Sequence, residues 1–393
     1  MAMPRAEADC LEKPGAFRLG YRPWLDGMRG LAILAVFVYH LQLLGGGFLG
    51  VDLFFVLSGF LITSLLLQEW QERGSISFSR FYLRRALRLL PALFALIIAC
   101  GAYILVFRPD EAAAFCKEAI LTACYVANCP TLHDVSMPTL GHAWSLSLEE
   151  QFYLVWPLLL YAMLRLRLSR RVMIALLVAG IVASAAWRCV LFEMCAVPHA
   201  GNMSYLMRIY AGLDTRADVL LVGCLVALLA ARGLLPRSRH FLRATGTVAA
   251  IGLPLIGYLM LTKHMGKPQF YYGLFTAVAA TFAVIVARLL SGPPRVALTV
   301  LEWRPLVYLG RISYALYLVN SPIVNWFGWE RLGWNHPVET LAVAGVAVAA
   351  AVALHHGVER PFLRLKSRLQ VAGKPDADVV AAARPGIATL RAA

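Results

Sequence analysis

Ten apolar stretches separated by short polar segments dominate this 393-residue chain. They run over 27–44, 50–68, 89–107, 148–164, 172–192, 217–231, 244–262, 270–290, 305–328 and 339–357. A helix of about 20 apolar residues crosses the hydrocarbon core of a bilayer. The sixth stretch is short for a full crossing and calls for tilting inside a bundle or extension at either end. Hydrophobic residues make up 60% of the chain and charged residues 15%, against roughly a quarter charged in an average soluble domain. A soluble globular enzyme, a disordered or collagen-like chain and a small disulfide scaffold are therefore excluded. No ten-residue alternation of apolar and polar residues recurs, which excludes a β-barrel. The expected fold is an all-α polytopic membrane protein with about ten transmembrane helices.

The net charge is +15, yet the basic residues form short runs between apolar stretches rather than one patch. That pattern fits lipid headgroups and membrane orientation, not nucleic acid. With the N-terminus in the cytoplasm, about 28 of the 37 Lys and Arg residues fall on that side. Both termini are then cytoplasmic. Residues 1–26 form a polar N-terminal segment without a signal-peptide core, 27–361 a single membrane domain, and 362–393 a basic, then Ala-rich cytoplasmic tail. Cys116, Cys124, Cys129 and Cys195 fall in outer loops, where at least one disulfide is expected. Cys10, Cys100 and Cys224 lie in cytoplasmic or intramembrane positions and are expected to be inert.

Ionisable groups inside a span are expensive and mark candidate sites. Arg29 and His40 are eleven residues apart, roughly 16 Å along a helix and within about 20° of the same face. Taken alone, Arg29 reads as a snorkelling boundary arginine and His40 as a core histidine. Their shared face points instead to a polar stripe. After the glycine-rich reversal Gly45–Gly47, Asp52 enters the next span and is placed to orient the His40 imidazole. Ser58-Gly59 allows close helix approach, and packing and function weigh equally for Ser58. Arg85 and Arg88 share a helix face and suit a phosphate-bearing ligand, although spacing alone favours positive-inside anchoring. Glu149 and Glu150 open the fourth span. They read either as a helix start favoured by the dipole or, at Glu149, as a carboxylate at the outer mouth that orients a base or holds a sugar hydroxyl. Trp144 and Tyr153 are interfacial aromatics or a sugar-stacking surface. No metal-ligand spacing occurs: His355 and His356 are adjacent and point different ways.

These segments together resemble the acyltransferase-3 family, the membrane O-acyltransferases of the O-antigen and exopolysaccharide O-acetyltransferase type. The likeness covers about Tyr21 to Pro361. Arg29 and His40 match the family's Arg/Lys-x10-His motif, Gly46 to Thr63 its second-helix signature, Arg85 and Arg88 its Arg-x-x-Arg pair, and Trp144 to Pro157 a further signature with Glu149 at the glutamate position. Arg216 to Gly223, Ile312 to Pro322 and Glu359 to Pro361 match later segments. The family's late Tyr-Leu-x-His-x-Pro reads Tyr317-Leu318-Val319-Asn320-Ser321-Pro322 here, so no base can be carried to Asn320, which is assigned to an acceptor pocket. No appended SGNH domain is expected.

The resemblance implies an acyl donor, acetyl-CoA in the first instance, used from the cytoplasmic side as co-substrate and without a metal. Its acceptor is a hydroxyl of a carbohydrate or glycolipid, in a multi-pass protein of the bacterial inner membrane, with polysaccharide-assembly proteins as partners. His40, Glu149 and Asp52 are the expected catalytic residues. Arg29, Arg85, Arg88 and Ser58 are expected on the donor, and Trp144, Tyr153 and Asn320 on the acceptor. His40 acts as general base on the hydroxyl or receives the acyl group transiently. The competing reading is a transporter or flippase, which would show inverted repeats and paired broken helices; neither is visible.

Overall fold

The computed structural model describes residues 18–129, 137–198, 203–328 and 332–365. Cys10, most of the N-terminal segment and nearly all of the tail lie outside them. The described residues are helical, without a β-strand. Fourteen α-helices follow one another among them: α1 (Pro23–His40), α2 (Leu49–Arg73), α3 (Phe78–Phe107), α4 (Ala112–Ala123), α5 (Trp144–Arg165), α6 (Arg170–Leu191), α7 (Met203–Ala211), α8 (Leu213–Ala231), α9 (Arg239–Thr262), α10 (Leu274–Ser291), α11 (Arg295–Leu301), α12 (Arg304–Arg311), α13 (Ser313–Phe327) and α14 (Pro337–Leu354).

Local chemistry sets many of these boundaries. Pro23 opens α1 where no backbone donor is needed. Ser169 and Ser238 cap α6 and α9 by accepting from Val172 N and Phe241 N. Gly74 ends α2 in the left-handed region at φ 66°.

Six helices are long and apolar enough to cross a membrane by length and composition: Leu49–Arg73, Phe78–Phe107, Arg170–Ala196, Arg239–Thr262, Leu274–Ser291 and Pro337–Leu365. The other four expected spans are present as helices of a different character. α1 carries Asp26 and Arg29, α5 carries Glu149 and Glu150, α8 carries Asp214, Arg216 and Asp218, and α13 has only 15 residues. Burial differs widely even among the six apolar helices. In α2, 78% of the apolar window is buried, against 17% in the α6 segment. α8 packs on α2, α6 and α10; α1 packs on α2 and α12; α9 and α14 cover α10 and α13 from outside.

The α2–α8 crossing depends on two glycines. A Cβ on Gly59 would lie 2.0 Å from Leu220 O, and one on Gly223 would lie 2.1 Å from Val56 O. Backbone therefore meets backbone, as small residues allow in membrane bundles. The expected disulfide is not formed: no disulfide links the described cysteines. Cys116 lies on α4 and Cys124 caps its C-terminus, eight residues on and so roughly 12 Å away along its axis, beyond disulfide reach.

Gly223→Val is expected to force α2 and α8 apart and to lower stability by at least the ~1–3 kcal/mol of an overpacked core. Gly246→Ala, where an added Cβ meets nothing within 4 Å, is the control. Thermal unfolding in detergent distinguishes them, and equal midpoints would refute the crossing's dependence on glycine.

Candidate active site

Two cavities lie within the bundle and share a wall. The smaller, about 140 Å³, is lined by Arg29, Ser58, Arg85, Arg88, Glu149 and Tyr153 among others; it is termed the arginine cavity. The larger, about 620 Å³, is lined by His40, His142, Trp144, Tyr210 and Asn325; it is termed the histidine cavity. Val51 and Tyr317 line both. The Arg29–His40 stripe expected along α1 thus runs from one cavity to the other. A third hollow of about 410 Å³ adjoins the arginine cavity, sharing Arg85 and Arg88 and adding Arg73 and Arg84.

In the arginine cavity, Glu149 Oε1 accepts from Ser58 Oγ and, at 2.7 Å, from the Tyr153 hydroxyl. Arg85 lies flat over the Tyr153 ring, 3.4 Å from its centroid, and its Nε donates to Glu150 Oε1 at 2.6 Å. Its charge is thus matched by Glu150, which sequence reasoning read only as a helix start. Arg29 NH2 donates to Ser313 Oγ at 3.0 Å. Among the described residues, neither Arg29 nor Arg88 has a carboxylate within ion-pair distance. These two are the cations best suited to an anionic ligand.

In the histidine cavity, His40 is the last residue of α1, its ring edge-on to that of Tyr39 with centroids 5.4 Å apart. Trp144 packs 4.7 Å from the Tyr210 ring. The turn leading to His142 is tethered from α4, where Glu118 Oε2 accepts from Thr139 N and Leu140 N at 3.1 and 2.7 Å. Burial pushes the Glu118 carboxyl up to about 7, while the two amides pull it down. The Tyr317 hydroxyl donates to His142 O at 2.7 Å and pairs with Ser145 Oγ.

Four expected placements need correction. Asp52 does not reach His40. Its Oδ1 accepts from Arg216 NH2 at 2.8 Å, with both side chains fully buried, because a carboxylate sealed in a bundle takes the nearest cation. Asn320 turns back on its own helix, donating to Leu316 O and Tyr317 O at 2.9 Å each, and lines neither cavity. Glu149 and Tyr153 lie in the arginine cavity rather than at the mouth beside Trp144, since they sit five and nine residues, about one and a half and two and a half turns, further along α5.

Sequence reasoning also missed the buried pair Arg188–Asp218, 2.9 Å apart, which joins α6 to α8, and it left His142 without a role. No group of three metal-ligating side chains occurs among the described residues.

Asp52→Leu alone is expected to cost about 3–5 kcal/mol by stranding Arg216. Asp52→Leu with Arg216→Met should recover much of that loss. Thermal unfolding of both variants checks the pairing, and equal losses would refute it.

Comparison with known proteins supplies the remaining finding. Residues 22–356 match the acyltransferase domain family Acyl_transf_3. The chain is 33% identical over 321 residues to the peptidoglycan O-acetyltransferase OatA of Listeria monocytogenes, covering 78% of this chain and 50% of that protein. It is 32% identical over 315 residues to the O-acetyltransferase OatA of Staphylococcus aureus, covering 77% and 51%. The chain thus spans about half the length of the curated relatives it matches. No solved structure matches it. By the extent of the match, the chain belongs to the acyltransferase-3 family.

Proposed function

We propose that this chain is an integral-membrane O-acyltransferase that moves an acyl group, acetyl in the first instance, from acyl-CoA to a hydroxyl of a cell-surface or exported carbohydrate. The observation that carries this reading is the pair of cavities meeting at Val51 and Tyr317, with guanidinium groups on one side and imidazoles on the other. A CoA thioester has phosphates at one end and an acyl group at the other. Arg29 and Arg88 suit the phosphates as charge-assisted donors. The thin pantetheine arm fits a narrow cavity, and it directs the thioester towards the shared wall.

On the other side, His40 acts on the hydroxyl as a base or takes the acyl group itself. Trp144 and Tyr210 offer ring faces of the kind that sugars stack on. The activities that the relatives are named for, peptidoglycan O-acetyl transfer and O-acetyl transfer, support a carbohydrate acceptor. The arginine cavity then faces the cytoplasm, where CoA is found, in a bacterial inner membrane. The full ten-span topology with both termini cytoplasmic belongs to the same proposal, and it keeps the basic segments on the donor side.

Purified protein in nanodiscs with acetyl-CoA is expected to release CoA thiol. His40→Ala should lower that release by at least about 10²-fold, with thermal stability near that of the wild type. Arg88→Ala should raise the KM for acetyl-CoA about 10–100-fold, the equivalent of one charge-assisted contact, with a smaller change in kcat. Release that survives His40→Ala, or none from the wild type, would overturn the proposal.

A further inference from the structure

His142 is a buried imidazole that the family motifs leave without a task. It sits in the single turn Gly141–Ala143 ahead of α5 and is 7% exposed. Its Nε2 lies 3.1 Å from Leu318 O of α13. In a helix that carbonyl is normally taken by the N–H four residues on. Here that residue is Pro322, which has no N–H to give. Leu318 O is thereby left for a side chain, and His142 takes it.

This contact fixes the chemistry of the ring. A carbonyl only accepts, so Nε2 carries the proton and Nδ1 is the basic nitrogen. Nδ1 has no hydrogen-bond partner in the protein. The ring is also well anchored, because Tyr317 holds the His142 carbonyl and Glu118 holds the two residues before Gly141. His142 and His40 line the same cavity.

We propose that His142 is a second catalytic residue: it takes the proton from the acceptor hydroxyl while His40 carries the acyl group. This rests on the acyl-transfer reading above. One imidazole does not serve both tasks at once. Acylation occupies one ring nitrogen of His40 and leaves the other too weakly basic to take the hydroxyl proton.

In the first step a His40 nitrogen attacks the thioester carbonyl, the C–S bond breaks, and CoA leaves as the thiol with the proton shed by the acylated ring. In the second step the acceptor oxygen attacks the acyl carbon as its proton passes to His142 Nδ1. The C–N bond to His40 breaks, and His142 returns the proton to the nitrogen released. The sum is thioester plus alcohol giving ester plus thiol, with both imidazoles restored.

The competing role is structural, in which His142 merely satisfies Leu318 O. His142→Gln separates the two, because its amide still donates to that carbonyl but takes no proton near neutral pH. The probes are acetyl-CoA with water as acceptor, then with added hydroxylamine, which attacks acyl-imidazoles without a base. His142→Gln is expected to lower steady CoA release by about 10²-fold or more, and hydroxylamine should restore turnover close to that of the wild type with acetohydroxamate as product. Wild-type release rates in His142→Gln would overturn the proposal. So would a slow variant that hydroxylamine leaves slow, which would mark a damaged fold or lost acyl loading. If the wild type releases no CoA, the acyl-transfer reading itself fails and this inference falls with it.

Discussion

A helical bundle that faces hydrocarbon must satisfy every buried charge and every freed carbonyl from within, and the rest of this structure follows from that demand. Arg188 shows it most fully. Its guanidinium meets both carboxylate oxygens of Asp218, the Thr215 carbonyl and the Thr276 hydroxyl. Arg216 is paired with Asp52 and lies 3.9 Å from the Phe275 ring centroid. The pairs tie α8 to α6 on one side and to α2 on the other. α8 thus becomes the hub of the bundle although its charges make it a poor span by composition. Buried pairs of this kind add little net stability over apolar packing, but breaking one is costly. They specify which helices meet. They also remove most interior charge from chemistry and leave Arg29 and Arg88 facing a cavity.

Prolines create a second set of obligations. Pro157 in α5 leaves Tyr153 O without its helical donor, and the Tyr82 hydroxyl of α3 lies 3.4 Å from that oxygen and 3.1 Å from the next, Leu154 O. Pro322 in α13 leaves Leu318 O to His142. In each case a kink-forming residue gives a neighbouring element an acceptor at a defined depth. One of these contacts steadies the helix that carries Glu149, and the other sets the tautomer of an imidazole.

Much of the site was legible because it lies on single helices. The eleven-residue spacing put Arg29 and His40 on one helix face, and in the structure Arg29 lines one cavity and His40 the other; Arg85 and Arg88, read as a pair at the cytoplasmic mouth, both line the arginine cavity. What sequence did not yield depends on partners far along the chain. Asp52 stands close to His40 in sequence, yet its cation comes from Arg216, 164 residues on. Asn320 lies between residues that line the histidine cavity but turns back to donate to the backbone of its own helix. Tyr153 and Glu149 were assigned to the wrong end because one helix crosses from one cavity to the other within two turns. Six spans were plain from hydropathy. The charged helices α1, α5 and α8 answer to packing rather than to lipid, and hydropathy alone does not separate those cases.

The wall between the cavities ties the late helix α13 to both of them. Tyr317 belongs to the same late segment as Asn320, and its hydroxyl is shared between Ser145 of α5 and the carbonyl of His142. The residue that separates the two cavities therefore also holds the turn that carries an imidazole. Leu318, the next residue, supplies the carbonyl that orients that imidazole. Two successive residues of α13 thus fix the position and the proton of His142, while Val51 closes the wall from α2. A shift of α13 against α5 would change the opening and the imidazole together. This coupling accounts for a late-helix segment that shapes the site even though its Asn320 bonds back to its own helix and lines neither cavity.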